Sequence, residues 1–274
     1  MKRFIFIILL FLTSSSFSNN KKSDQILNEG KMLYRLEKGS WLATDHMLSN
    51  FDTKKDSLGG YLSYENEKGK ICTIFYSRFD QNNILIKYVF DDIIQSDNFK
   101  IEEVSQMATS HEKSLITMRE DAVERVYTNE DEYYSFYENT AMNFIPLISN
   151  EGQRVFVLTG PQVSGVVLLG NDYLLHYDEK SKFINKEKIH NSILSFPYEQ
   201  DENGNTIETT SHSHVNSEYI SSTDICTLLL YKDYLSWDQH TVLSKNMVSI
   251  FDLKNESLAT MKMKAWKKLL DTEK

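Results

Sequence analysis

Cysteine, proline and glycine are scarce in this chain, with two, three and ten among 274 residues. Two cysteines are too few for a disulfide scaffold. Neither Cys72 nor Cys226 sits in a CxxC or CxxH pattern, so cysteine-based zinc is not indicated. Cys72 lies in a strand-like stretch (KICTIFY) and Cys226 in a helix-like one (TDICTLLLY), which favours burial as small apolar residues over a single bridge. Few glycines and prolines argue against low complexity and long disorder. Positive charge is also short. The net charge is −9, so phosphate backbones are repelled and nucleic acid is a poor partner class. HExxH, Walker A, GxSxG and a GxGxxG after a strand are all absent, as is any internal repeat.

Long apolar runs are limited to one, Phe4 to Leu12 (FIFIILLFL). A bilayer span takes roughly 20 apolar residues, so this run is too short to cross. Lys2 and Arg3 precede it, and Ser16, Phe17 and Ser18 follow with small residues at −3 and −1. This is the order of a cleavable secretory signal over residues 1–18, with cleavage after Ser18. No cysteine follows the run at a lipoprotein position. The expectation is a secreted or periplasmic protein with no membrane span after cleavage.

Apolar content of 41% with 12% aromatics is enough to build a core. From Asp24 to Lys38, Ile26, Leu27, Leu33 and Leu36 recur at helical spacing, and Gly39 is placed to end that helix. GYLSYENEKGKICTIFYS reads as a hairpin turning at Glu67 to Gly69, with ILIKYVF as a third strand. Ile101 to Tyr127 reads as a helix whose charges, Glu112 among them, form a solvated face. A boundary between halves falls near Glu130 to Glu132, dividing residues 19–140 from 141–274.

In the second half, RVFVLTG, IHNSILSFPY and TIETTSHSH read as strands, and GVVLLGNDYLLHY as two strands about a tight turn at Gly170 to Asp172. An acidic loop, Asp201 to Asn205, carries an Asn203-Gly204 turn. Ser222 to Leu235 is helical, HTVLSKNMVSIFDL returns to strands, and Glu256 to Leu270 reads as an amphipathic helix. The fold class is α+β, with mixed or antiparallel strand-rich halves and flanking helices.

Chemistry concentrates in His212-Ser213-His214 followed by Ser221-Ser222-Thr223-Asp224. Residues i and i+2 of a strand face one side, so His212 and His214 point two imidazoles into one space. Asp224 falls in the first turn of a helix that Ser221 or Ser222 can cap. Two His and one carboxylate, with one position open to water, is a catalytic zinc arrangement. The competing reading is a capped helix start beside two solvated His.

This stretch resembles the signature of the JAB/MPN (JAMM) metallopeptidases over residues 212–224, within a region extending at most over 141–255. The spacing from His214 to Asp224 is one residue shorter than the family's usual, and Val215 stands where a Pro is common. The resemblance implies zinc held by His212, His214 and Asp224, Ser221 steadying the oxyanion, and a Glu from upstream as general base, for which Glu151 is the nominee. It implies a zinc-dependent hydrolase of peptide or isopeptide bonds in the envelope or outside the cell, acting on a peptide or protein substrate, or a degenerate metal-binding relative. The alternative is a non-catalytic secreted or periplasmic binding protein. His190 and His176 read as structural or supporting histidines, and His240 as the start of a strand.

Overall fold

The computed structural model describes residues 21–102, 105–198, 207 and 209–272. The expected signal (1–18) and the Asp201–Asn205 loop lie outside the described residues. Four helices and fifteen strands make a mixed α+β structure among them.

Helix α1 (Lys21–Asn50) is twice as long as the apolar spacing suggested and runs straight through Gly39. The reason is packing. A Cβ on Gly39 would meet Ile71 Cγ2 at 2.8 Å, so this glycine lets the helix lie against a strand rather than ending it. That strand belongs to a sheet built from β1 (Leu58–Glu65), β2 (Ile71–Ser77), β3 (Asn83–Phe90) and β4 (Phe99–Glu102), in that order, with β5 (Gln106–Met107) also pairing β3. The β1–β2 hairpin is the expected one, and Gly69 in its turn has φ +75°.

Helix α2 (Ser110–Thr128) begins nine residues later than its apolar pattern suggested, because β4 and β5 take the preceding segment. Its start is set by a capping box in which the Thr109 side chain and Glu112 satisfy each other's backbone N–H. Glu112 is therefore buried, not solvated, and also accepts from Tyr64 Oη at 2.6 Å and Lys87 Nζ at 3.2 Å.

Strands β6 (Thr140–Ser149), β7 (Gly152–Pro161), β8 (Val166–Gly170), β9 (Tyr173–Tyr177), β10 (Phe183–Lys188) and β11 (Ile193–Pro197) follow. β8 and β9 do not form the hairpin that the Gly170–Asp172 turn implied. β9 lies between β7 and β10 in the sheet β10-β9-β7-β6, whereas β8 pairs only with β11. Gly170 (φ +103°) and Asn171 (φ 56°) turn the chain from one sheet into the other, which leaves Asp172 buried at the crossing.

The last sheet contains the single parallel pair among the described residues. Strand β12 (Thr210–Ser213) runs parallel to β13 (Gln239–Leu243), and helix α3 (Ser222–Tyr231) is the crossover. β14 (Met247–Asp252) and β15 (Ser257–Lys262) complete the order β12-β13-β14-β15. The segment expected as one terminal helix is thus split. Residues 257–262 pair with β14, sheet hydrogen bonding overriding the helical spacing, and only α4 (Met263–Thr272) is helical.

Both halves share cores. Leu62, Ile74 and Leu115 pack with Val155, Val157 and Leu175. Leu33, Leu36 and Phe75 pack with Phe156, Cys226 and Leu230. Each such buried aliphatic or aromatic side chain contributes about 1.5–3 kcal/mol. Cys72 and Cys226 are free thiols inside these cores, as their apolar settings suggested. Helix α1 also lies against α3. A Cβ on Gly30 would meet Ile225 Cβ at 2.7 Å, so close approach there depends on glycine and helps set the position of α3.

Candidate metal centre

Strand alternation delivers the two histidines together. Thr210, His212 and His214 are buried while Ser211 and Ser213 are exposed. His214 N–H donates to Leu243 O at 2.8 Å, which carries the pairing of β12 and β13 one residue beyond the strand. Asp224 arrives from the other side, at the third position of α3. Ser221 Oγ accepts from Asp224 N at 2.9 Å, and Asp224 Oδ2 accepts from Ser221 N at 3.1 Å. This reciprocal cap is worth roughly 1 kcal/mol and aims the carboxylate at the histidines from a helix N-terminus, where negative charge is favoured.

The structure adds a residue that the motif does not contain. His190, in the loop between β10 and β11, joins His212, His214 and Asp224 in a buried group whose four ligand atoms lie within 4.8 Å of one another. His190 Nε2 is 3.2 Å from His214 Nε2 and 3.4 Å from Asp224 Oδ1. Asp224 Oδ2 is 3.2 Å from His214 Nε2 and 3.8 Å from His212 Nε2. Zinc bonded tetrahedrally at 2.0–2.1 Å spaces its ligands at about 3.3–3.4 Å, so these separations suit one ion.

The far nitrogens explain why the near ones are available. His214 Nδ1 faces the Tyr219 carbonyl at 2.8 Å, and a carbonyl only accepts, so Nδ1 carries the proton. His212 Nδ1 is 2.7 Å from His240 Nε2, and His240 Nδ1 is 2.7 Å from Thr210 Oγ1. That chain follows from register, since Thr210 lies directly opposite His240 in the parallel pair. His190 Nδ1 faces Asp172 Oδ2 at 3.2 Å. The three Nε2 atoms turn toward one another, with His214 held from behind by the Tyr219 carbonyl, His212 by His240, and His190 facing Asp172, a support pattern found behind metal-ligating histidines.

Three polar atoms of the group, His190 Nδ1, His212 Nε2 and Asp224 Oδ1, are buried with no hydrogen-bond partner, which is costly unless something else satisfies them. The electrostatics are similarly unbalanced. Burial holds His212 down to about 4 and His240 down to about 3. Burial also opposes charge on His190, but Asp224 and Asp172 outweigh it and raise His190 to about 10. Burial works against the Asp224 carboxylate too, yet the surrounding histidines hold it well below the usual carboxylate range. A cation at the centre would satisfy His212 Nε2 and Asp224 Oδ1.

Of the residues nominated from the motif, His212, His214 and Asp224 converge. Ser221 stands beside them, its Oγ 3.4 Å from His190 Nε2. Glu151 is not brought to the group. It sits on the β6–β7 turn, accepting from Gln25 Nε2 and lying 3.3 Å from Arg154 Nη1. Asp172 and His240 were not linked to the centre and His190 was read only as a structural or supporting histidine, because nothing in their local sequence ties them to the distant residues they meet. A cavity of about 50 Å³ opens against His190, His212 and His214, room for a water molecule or two.

No protein-family model matches the chain, and no curated protein or solved structure matches it either.

Proposed function

We propose that this chain is an exported zinc-binding protein whose centre is closed by four protein ligands, His190, His212, His214 and Asp224. The observation that carries the reading is the convergence of four buried ligand atoms within 4.8 Å of one another, with His212 and His214 hydrogen-bonded from behind and His190 facing Asp172. Three nitrogens and one oxygen suit zinc among the divalent metals. A fourth protein ligand takes the position that a catalytic site leaves open to water. On this reading the likeness to the JAMM metallopeptidases is that of a metal-binding relative without turnover, consistent with Glu151 lying elsewhere. Zinc would then join the β10–β11 loop, β12 and α3, and its binding energy would be folding energy.

A second reading is peptide or isopeptide hydrolysis, favoured by the small cavity on the histidine edges and by Asp172 behind His190. Here His212, His214 and Asp224 would hold zinc, which supplies Lewis acidity. His190 would donate a proton from Nε2 to the leaving amine, with Asp172 facing its ring.

Metal analysis of protein purified without chelators tests the first reading. One zinc per chain is expected, lost in the His212→Ala/His214→Ala variant. Protein that takes up no divalent transition metal sinks both readings. Turnover of a peptide or isopeptide library by zinc-loaded protein, abolished by His190→Ala, would replace the first reading with the second.

A further inference from the structure

We infer that α4 is an interfacial helix that docks the protein on an anionic lipid surface. At 100° per residue, Met263, Ala265, Trp266, Leu269 and Leu270 fall on one arc, and Lys264, Lys267, Lys268, Asp271 and Thr272 on the opposite one. The apolar arc is not buried by the fold. No residue of α4 is buried, and Leu269 and Leu270 are 52% and 47% exposed, although the helix rests against β14 and β15. Among the described residues no ion pair engages Lys264, Lys267 or Lys268.

Charge selects the occupant. The chain as a whole is acidic, at −9, whereas α4 carries three lysines against one aspartate. Within an acidic protein, α4 is thus a locally basic element suited to meet an anionic surface. Lysines on one face with Trp and Leu on the other is the composition of helices that lie in the headgroup plane. Size argues against a second protein chain. A ten-residue helix is about 15 Å long, and one half-exposed face of it falls well short of the roughly 800 Å² per partner of a stable protein interface. A lipid surface needs no matching partner face, and it draws on the lysines as well as the apolar arc. Docking of this kind is compatible with the finding that no described helix is long and apolar enough to cross a membrane.

Co-sedimentation of the chain lacking residues 1–18 with lipid vesicles tests the inference. Binding to phosphatidylglycerol vesicles is expected to exceed binding to phosphatidylcholine vesicles by about tenfold and to weaken with added salt. Leu269→Asp/Leu270→Asp and Lys264→Glu/Lys267→Glu/Lys268→Glu should each lower phosphatidylglycerol binding by about tenfold, with circular dichroism unchanged, because both sets of side chains are surface groups. Equal binding to the two vesicle types overturns the inference. So does binding that survives both variants, or an α4-dependent dimer in analytical ultracentrifugation that forms without lipid.

Discussion

His212 Nδ1 lies 2.7 Å from His240 Nε2, on the neighbouring parallel strand. His240 touches none of the other three residues of the group within hydrogen-bond distance, yet it is the partner of the far nitrogen of His212. His240→Ala should therefore weaken zinc binding about 10- to 100-fold, the usual cost of removing such a supporting group. Competition with a chromophoric chelator measures this. Affinity within twofold of the parent protein would mean that His212 is oriented by something else.

Asp224 caps α3 and, on the proposed reading, closes the ligand set, and the two roles can be separated. Asn keeps an oxygen to accept from Ser221 N–H but removes the charge. Asp224→Asn should retain the fold by circular dichroism while losing stoichiometric zinc. Retained zinc at parental affinity would exclude Asp224 as a ligand.

Chelation should lower the thermal unfolding midpoint, and added zinc should restore it. A ligand that binds only the native state stabilises it by about 2.7 kcal/mol at a hundred times its dissociation constant. Differential scanning fluorimetry with and without chelator reads the shift. An unchanged midpoint in protein shown to have lost its metal would remove the structural role from zinc.

Gly30→Ala sets a helix-propensity gain of up to about 1 kcal/mol against a clash. The new Cβ would stand 2.7 Å from Ile225 Cβ and 3.0 Å from Ser222 O, so neither α1 nor α3 can yield cheaply. Net destabilisation of about 1–3 kcal/mol is expected in urea unfolding. Zinc affinity should fall as well, because the displaced helix carries Asp224. A stabilised variant would show that the two helices approach less closely in solution.

Glu37 lines a cavity of about 220 Å³ with Trp41, Tyr61 and Tyr231, and burial, only partly offset by Arg119, raises its carboxyl to about 7. The folded value lies above the unfolded one of about 4.5. Between those values the folded protein holds a proton that the unfolded chain releases, so this group destabilises the fold progressively as pH rises through that window. Glu37→Gln should match the parent near pH 4.5 and exceed it in stability above pH 7, by about 1–3 kcal/mol given partial exposure. A stability difference that does not change from pH 4.5 to 8 would show that Glu37 ionises normally.

Local signals read well where the outcome depended on local chemistry. The β1–β2 hairpin, the capped start of α3 and the paired faces of His212 and His214 all follow from residues within a few positions of one another. Readings failed where distant pairing competed with local preference. Ser257 to Lys262 has helical spacing but lies on β14. Gly39 looks like a helix stop but is a packing notch against Ile71. Gly170 to Asp172 looks like a hairpin turn but links two sheets. Glu112 looks like surface charge but is held inside by Thr109, Tyr64 and Lys87.

The candidate centre divides along the same line. Sequence alone determined that two imidazoles share a strand face and that a capped helix begins eight residues after the second, since both follow from backbone periodicity and capping. Only the tertiary structure decided that His190 completes the set, that Asp172 and His240 stand behind the rings, and that Glu151 is held elsewhere by Arg154. Those relationships depend on a chain that leaves one sheet at Gly170 and on a parallel pairing that sets His240 opposite Thr210. Long-range packing and register created them, and no pattern in neighbouring residues encodes either.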